Sequence, residues 1–133
     1  MTDLYSRMAS PDEATGKAAA AEGARCNDRE RRFLASLWGT KSKDTLGARR
    51  FGNALGEAGK PGEGIDWLQR AYNETPVDDA TLAWLRYEIA VQYVALGRND
   101  DAVALLANRL GTTPLPDELQ KKYDELIDRA ALG

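Results

Sequence analysis

The chain has no histidine. That removes the commonest general base, the commonest metal ligand and the usual charge switch near neutral pH. Cysteine is nearly absent: Cys26 stands alone and cannot close an internal disulfide, which suits a reducing compartment. No apolar run approaches the ~20 residues of a membrane span. The Ala18–Ala21 run is short and flanked by Lys17 and Glu22, so it does not resemble the core of a signal sequence. A soluble cytoplasmic protein, not held at a membrane, is the expectation. Nor is charge of one sign concentrated. Lys plus Arg number 18 and Asp plus Glu 21, a net charge of −3, which argues against nucleic-acid binding because that rests on neutralising phosphates. The short basic cluster of Arg29, Arg31 and Arg32 sits with Asp28 and Glu30 and reads as a solvated helix face.

Catalytic signals are missing as well. Carboxylates abound, but none is set in an apolar context that would perturb it. No strand is legible, and no glycine-rich phosphate loop follows one. The Gly-Lys-Pro-Gly-Glu-Gly run from Gly59 to Gly64 is accounted for by a turn between helices. No enzyme activity, cofactor or metal is therefore expected.

What remains is helical. At 133 residues the chain is one domain by length and can bury about two-thirds of its unfolded surface. Residues 1–9 carry no period and are expected to be flexible. Ser10-Pro11-Asp12-Glu13 reads as a helix start, with Ser10 as cap and Pro11 at the first position. That helix has few large apolar residues, and Gly16 and Gly23 weaken it. Asn27 with Glu30 forms a second capping box before Phe33, Leu34, Leu37 and Trp38. Asp44 or Ser42 caps a third helix carrying Leu46, Phe51, Ala54 and Leu55. Gly59 closes it in a left-handed turn and Pro61 opens the next, which buries Ile65, Leu68, Ala71 and Tyr72. Asp78 and Asp79 start the longest helix, which ends at Gly97; another follows, with Leu110 on its inner side. Gly111 to Pro116 is a break, and Asp117 and Glu118 open a last amphipathic helix.

The segment Phe51 to Pro76 recurs downstream. Leu55 answers to Tyr93, Gly59 to Gly97, Gly64 to Ala102, Ile65 to Val103 and Leu68 to Leu106, each pair 38 positions apart. A period of this size in helical sequence marks stacked helical hairpins. Phe51-Gly52-Asn53-Ala54-Leu55, Gly59, Gly64 to Leu68, Ala71 and Pro76 resemble the tetratricopeptide repeat in order and spacing. The interval is about four residues longer than the family's usual repeat, and Arg109 stands where the family has an alanine. The resemblance implies an all-α stack of antiparallel hairpins, an α-solenoid of about seven helices. Residues 10–40 would form an N-terminal helical pair, 44–76 and 78–110 two repeats, and 116–131 a capping helix.

The resemblance also implies a groove, lined by the first helix of each hairpin, that binds a protein or peptide partner. On that scheme Leu46, Arg49, Asn53, Gly56 and Glu57 line it from the first hairpin, and Arg86 or Tyr87, Gln92, and Val91 or Ala95 from the second. Arg49 and Asn53, one turn apart, resemble a pair that holds a carboxylate, but Glu88 falls where it would repel such a ligand. Trp67 and Trp84 are placed either in the packing or on an outer face as interface anchors. An adaptor or chaperone-like role is the implied function. The alternative is a self-associating helical-repeat protein, a homodimer completing the stack, or the repeat region of a larger assembly.

Overall fold

The computed structural model describes residues 1–40, 43–77, 79–107 and 114–132. Expectations for Ser42, Asp78, Arg109, Leu110 and the Gly111 turn lie outside the described residues. Among those described, all regular structure is helical, in eight α-helices. They are α1 (Thr2–Met8), α2 (Glu13–Ala24), α3 (Asp28–Thr40), α4 (Thr45–Glu57), α5 (Pro61–Glu74), α6 (Thr81–Ala95), α7 (Asn99–Ala107) and α8 (Asp117–Leu132).

The helix starts follow from capping chemistry, with one change from expectation. Asp12, not Ser10, caps α2: its carboxylate accepts from the Thr15 amide at 3.0 Å and the Thr15 hydroxyl at 2.5 Å. An ionised acceptor outcompetes a hydroxyl at this place, and the Ser10 hydroxyl instead accepts from the Asp12 amide at 3.1 Å. Asn27 and Glu30 form the reciprocal box at α3, at 2.8 and 3.0 Å. Asp44 caps α4 through the Gly47 amide at 2.9 Å.

The helix ends at Gly59 and Gly97 are the same turn built twice. Their φ angles are 82° and 76°, a region open to glycine at little cost. The Lys60 amide donates to Leu55 O at 2.8 Å and the Gly59 amide to Gly56 O at 3.1 Å. At the second turn Arg98 donates to Tyr93 O at 2.8 Å and Gly97 to Val94 O at 3.0 Å. Both are Schellman caps, 38 positions apart, as the sequence interval requires.

Most helices pack against a neighbour in sequence, although among the described residues α3 packs on α1 and not closely on α2 or α4; α4 packs against α5 most extensively. Glycine makes that closeness possible. A Cβ at Gly52 would stand 2.7 Å from Leu68 Cγ and 2.8 Å from Gly64 O, and one at Gly64 would stand 2.7 Å from Gly52 O. The equivalent positions in α6 and α7, Ala90 and Ala102, are small and fully buried. Contacts also skip one helix, α1 to α3, α2 to α4, α4 to α6 and α6 to α8.

The N-terminus departs from expectation. Residues 2–8 form α1, which buries Leu4, Tyr5 and Met8 against α2 and α4. Arg50 in α4 reaches under Gly16 to donate from Nη1 to Met8 O at 2.9 Å and Ser10 O at 2.6 Å. A side chain at Gly16 would collide with that guanidinium, and one at Gly23 would meet Met8 and Phe51. These glycines admit neighbours and are not simply weak points of α2.

Two apolar clusters fill the interior. The larger joins α1 to α6 and includes Phe51, Leu55, Leu68, Leu85 and Ile89; the smaller joins α6, α7 and α8 around Ala90, Leu106, Leu119 and Tyr123. Tyr93 and Leu105 pack against both. Trp67 belongs to the larger cluster and not to an outer face: it is 4 % exposed, with Phe51, Trp38 and Tyr5 rings at 4.9, 6.1 and 6.4 Å.

Candidate functional site

Arg49 and Asn53 do come together, one turn apart on α4, and a carboxylate lies between them. It belongs to Glu88 of α6. Arg49 Nε donates to Glu88 Oε1 at 2.9 Å and Oε2 at 3.0 Å, and Nη2 donates to Oε2 at 2.7 Å. Asn53 Nδ2 donates to Oε1 of the same carboxylate. The Glu88 side chain is 13 % exposed and that of Arg49 30 %. The residue expected to repel a ligand thus occupies the place of one. The chain spacing carries a signal for it: Glu88 is 39 positions after Arg49, one past the repeat interval, and so stands beside Arg49 on the equivalent helix of the next hairpin.

The other expected groove residues divide. Glu57 is exposed, two turns along from Arg49 on the same stripe. Gln92 is 6 % exposed, its amide lying over Gly56, where a side chain would collide with it. It fills the seam between α4 and α6 instead of facing out. Arg86 is 7 % exposed and turned to α7, where Nη2 donates to Leu105 O. It ties α6 to α7 and is not part of the outward face. Leu46 and Val91, 41 % and 37 % exposed, lie one turn before Arg49 and one turn after Glu88. The face shared by α4 and α6 therefore has a closed polar centre with apolar side chains beside it.

A second charged region lies between α3 and α5, which are not closely packed by their backbones. Long side chains bridge them. Arg31, 9 % exposed, donates from Nε and Nη2 to Glu63 at 2.9 Å each, from Nη2 to Asp28, and from Nη1 to Cys26 O at 2.6 Å. The Glu63 bonds in particular hold the Arg31 guanidinium above its ordinary pKa. Beside this bridge runs an open trough of about 400 Å³. Its α3 wall is Asp28, Arg31, Arg32 and Ala35, and its α5 wall is Glu63, Asp66, Trp67 and Arg70. Both sets follow i, i+3, i+4, i+7, so each is one helical stripe. The sequence reading took the Arg31 and Arg32 cluster as a plain solvated face. Its match with a charged stripe on α5 was the available signal.

Cys26 sits at the end of α2, its thiol donating to Glu22 O at 3.6 Å. Burial, with Glu30 and Glu22 adding, pushes its pKa up. It is not the thiolate that reactive cysteines require. Among the described residues no helix is long and apolar enough to cross a membrane, and no group of three or more Cys, Asp or Glu side chains could hold a metal ion.

Comparison with family models, curated proteins and solved structures found no match to this chain.

Proposed function

We propose that this protein is a polypeptide-binding module, an adaptor or chaperone-like protein of tetratricopeptide-repeat build, and not an enzyme. The repeat reading is supported by the two equivalent Schellman turns and by small residues at the same contacts of both hairpins, Gly52 with Gly64 and Ala90 with Ala102. The observation that carries the binding reading is the α4–α6 face. Its polar groups are already held by one another through Glu88, so a partner meets a rigid surface. Leu46 and Val91 supply apolar contacts there, and Glu57 an exposed carboxylate that makes no ion pair among the described residues. A pre-organised surface binds without an ordering cost. The partner is an extended or helical segment with apolar side chains and a basic residue to meet Glu57. It does not place its own carboxylate on Arg49, which Glu88 occupies.

Selection from a displayed random-peptide library tests this. Enriched peptides are expected to share apolar residues with a Lys or Arg. Their affinity is expected to fall about tenfold or more on Leu46→Asp or Val91→Asp, with the fold retained. Peptides that bind these variants as well as the wild type would refute the face, and an unenriched library would refute the function.

A further inference from the structure

Two exposed faces of opposite charge lie on helices that do not pack on each other. The first is at the start of α3. Arg25, Arg29 and Arg32 are exposed and make no ion pair among the described residues. The acids around them are already engaged: Glu22 with Arg7 at 3.4 Å, Asp28 with Arg31, and Glu30 with the Asn27 amide at 3.0 Å. Beside Arg29 lies an open hollow of about 460 Å³, walled by Met1, Thr2, Glu30 and Phe33. Phe33 is 45 % exposed and Met1 40 %, so cationic and apolar surface meet water side by side.

The second face is the outward side of α8. Asp124, Glu125 and Asp128 are exposed and make no ion pair among the described residues. On this helix five carboxylates are exposed against two cations, Lys121 and Arg129; Lys122 lies over the Tyr87 ring, 5.9 Å from its centroid. Leu132 is 90 % exposed. The two faces share a register. Arg29 precedes Phe33 by four residues and Asp128 precedes Leu132 by four, about one helical turn in each case. With Leu132 seated in the hollow and α8 running alongside α3 in the same direction, Asp128 falls against Arg29.

We propose that this face of α3 binds α8 of a second copy of the chain, Leu132 entering the Met1–Phe33 hollow and Asp128 pairing with Arg29. Within one chain α3 and α8 do not pack on each other, so the pairing joins two molecules. The surfaces are unlike, so each copy carries one of each and the contact repeats head to tail. An exposed ion pair adds little by itself. Burial of Leu132, Phe33 and Met1 supplies the affinity, and the charges set partner and register. The contact is small, so the association is weak and reversible. It uses no residue of the α4–α6 face and holds whether or not that face binds a polypeptide.

Sedimentation velocity of the full chain from about 10 μM to about 1 mM tests it. The sedimentation coefficient is expected to rise with concentration, and less so in high salt, which screens exposed charges. Arg29→Glu, Asp128→Arg and Leu132→Asp are each expected to weaken association about tenfold, with unchanged melting temperatures because all three positions are exposed. Arg29→Glu and Asp128→Arg combined in one chain are expected to recover it, since the ion pair is then restored with its signs exchanged. A strict monomer at the highest concentration overturns the proposal. So does association that high salt or the single variants leave as strong as in the wild type, or a combined variant that associates no better than the single ones. Should either charge variant not fold, unchanged association in Leu132→Asp alone overturns it.

Discussion

Glu88 changes what Arg49 is for. A guanidinium held by three bonds to one carboxylate, with an amide added from Asn53, ties α4 to α6 before it can meet any ligand. A double-mutant cycle of Arg49→Gln and Glu88→Gln is expected to give a coupling energy of about 1–2 kcal/mol by urea denaturation, as for a partly buried charged pair; a value near zero would make the contact incidental. Reversing the charge, Arg49→Glu, would set two carboxylates together and disturb the fold, so it does not report on binding. At Gly52 the residue-scale outcome is set by space. Gly52→Ala is expected to destabilise by about 1–3 kcal/mol through overpacking against Leu68 and Gly64, despite the better helix propensity of alanine. Gly62, also within α5, has nothing within 4 Å of a built Cβ. There the same change is expected to stabilise by about 0.5 kcal/mol. Thermal melts of the two variants should move in opposite directions.

At the scale of the element, the sequence was most readable where one residue type alone satisfies a constraint. Gly59 and Gly97 marked their turns because an L side chain resists those φ angles. Asn27 with Glu30 marked α3 because the two side chains serve each other's amides. The helix α1 was not legible. Seven residues are too few for a periodic stripe, and its stability comes from burying Leu4, Tyr5 and Met8 on distant partners. The pairing of Arg31 with Glu63 was hidden for the same reason, since each residue looks like surface until its helices are placed. The start of α2 is pH-sensitive. Hydrogen bonds from the Thr15 hydroxyl and amide hold the Asp12 carboxyl below its ordinary pKa. A carboxylate depressed in the folded state contributes stability that is complete above its unfolded pKa and is lost as pH falls through the folded one. Protection of the Thr15 amide, corrected for intrinsic exchange, is therefore expected to fall below about pH 4. The Asp12→Asn variant should not show that loss.

Across the whole molecule, the core is unevenly shared. Helices α4 and α5 lie within the larger cluster, whereas among the described residues α8 packs on α6 and α7 through the smaller one. The tie is specific: Tyr123 is 2 % exposed, its hydroxyl donates to Ala83 O at 2.6 Å, and its ring stacks 6.3 Å from Tyr87. An element with few packed neighbours opens locally at less cost than one packed on many. Native-state hydrogen exchange is expected to open α8 at a lower free energy than α4 and α5. Equal protection throughout would mean that Tyr93 and Leu105, which touch both clusters, lock the chain into a single cooperative unit.

The two matching turns also make the molecule extensible. Residues 60–97 run from just after one Schellman glycine to the next, so a duplicate of this segment joins its copy through Gly97 and Lys60 with the turn geometry already present at Gly59. At that junction Ala90 would face Gly64, which carries no side chain to oppose it. On the repeat reading proposed above, that segment would serve as a cassette from which longer arrays could be made by gene duplication, without a new connection.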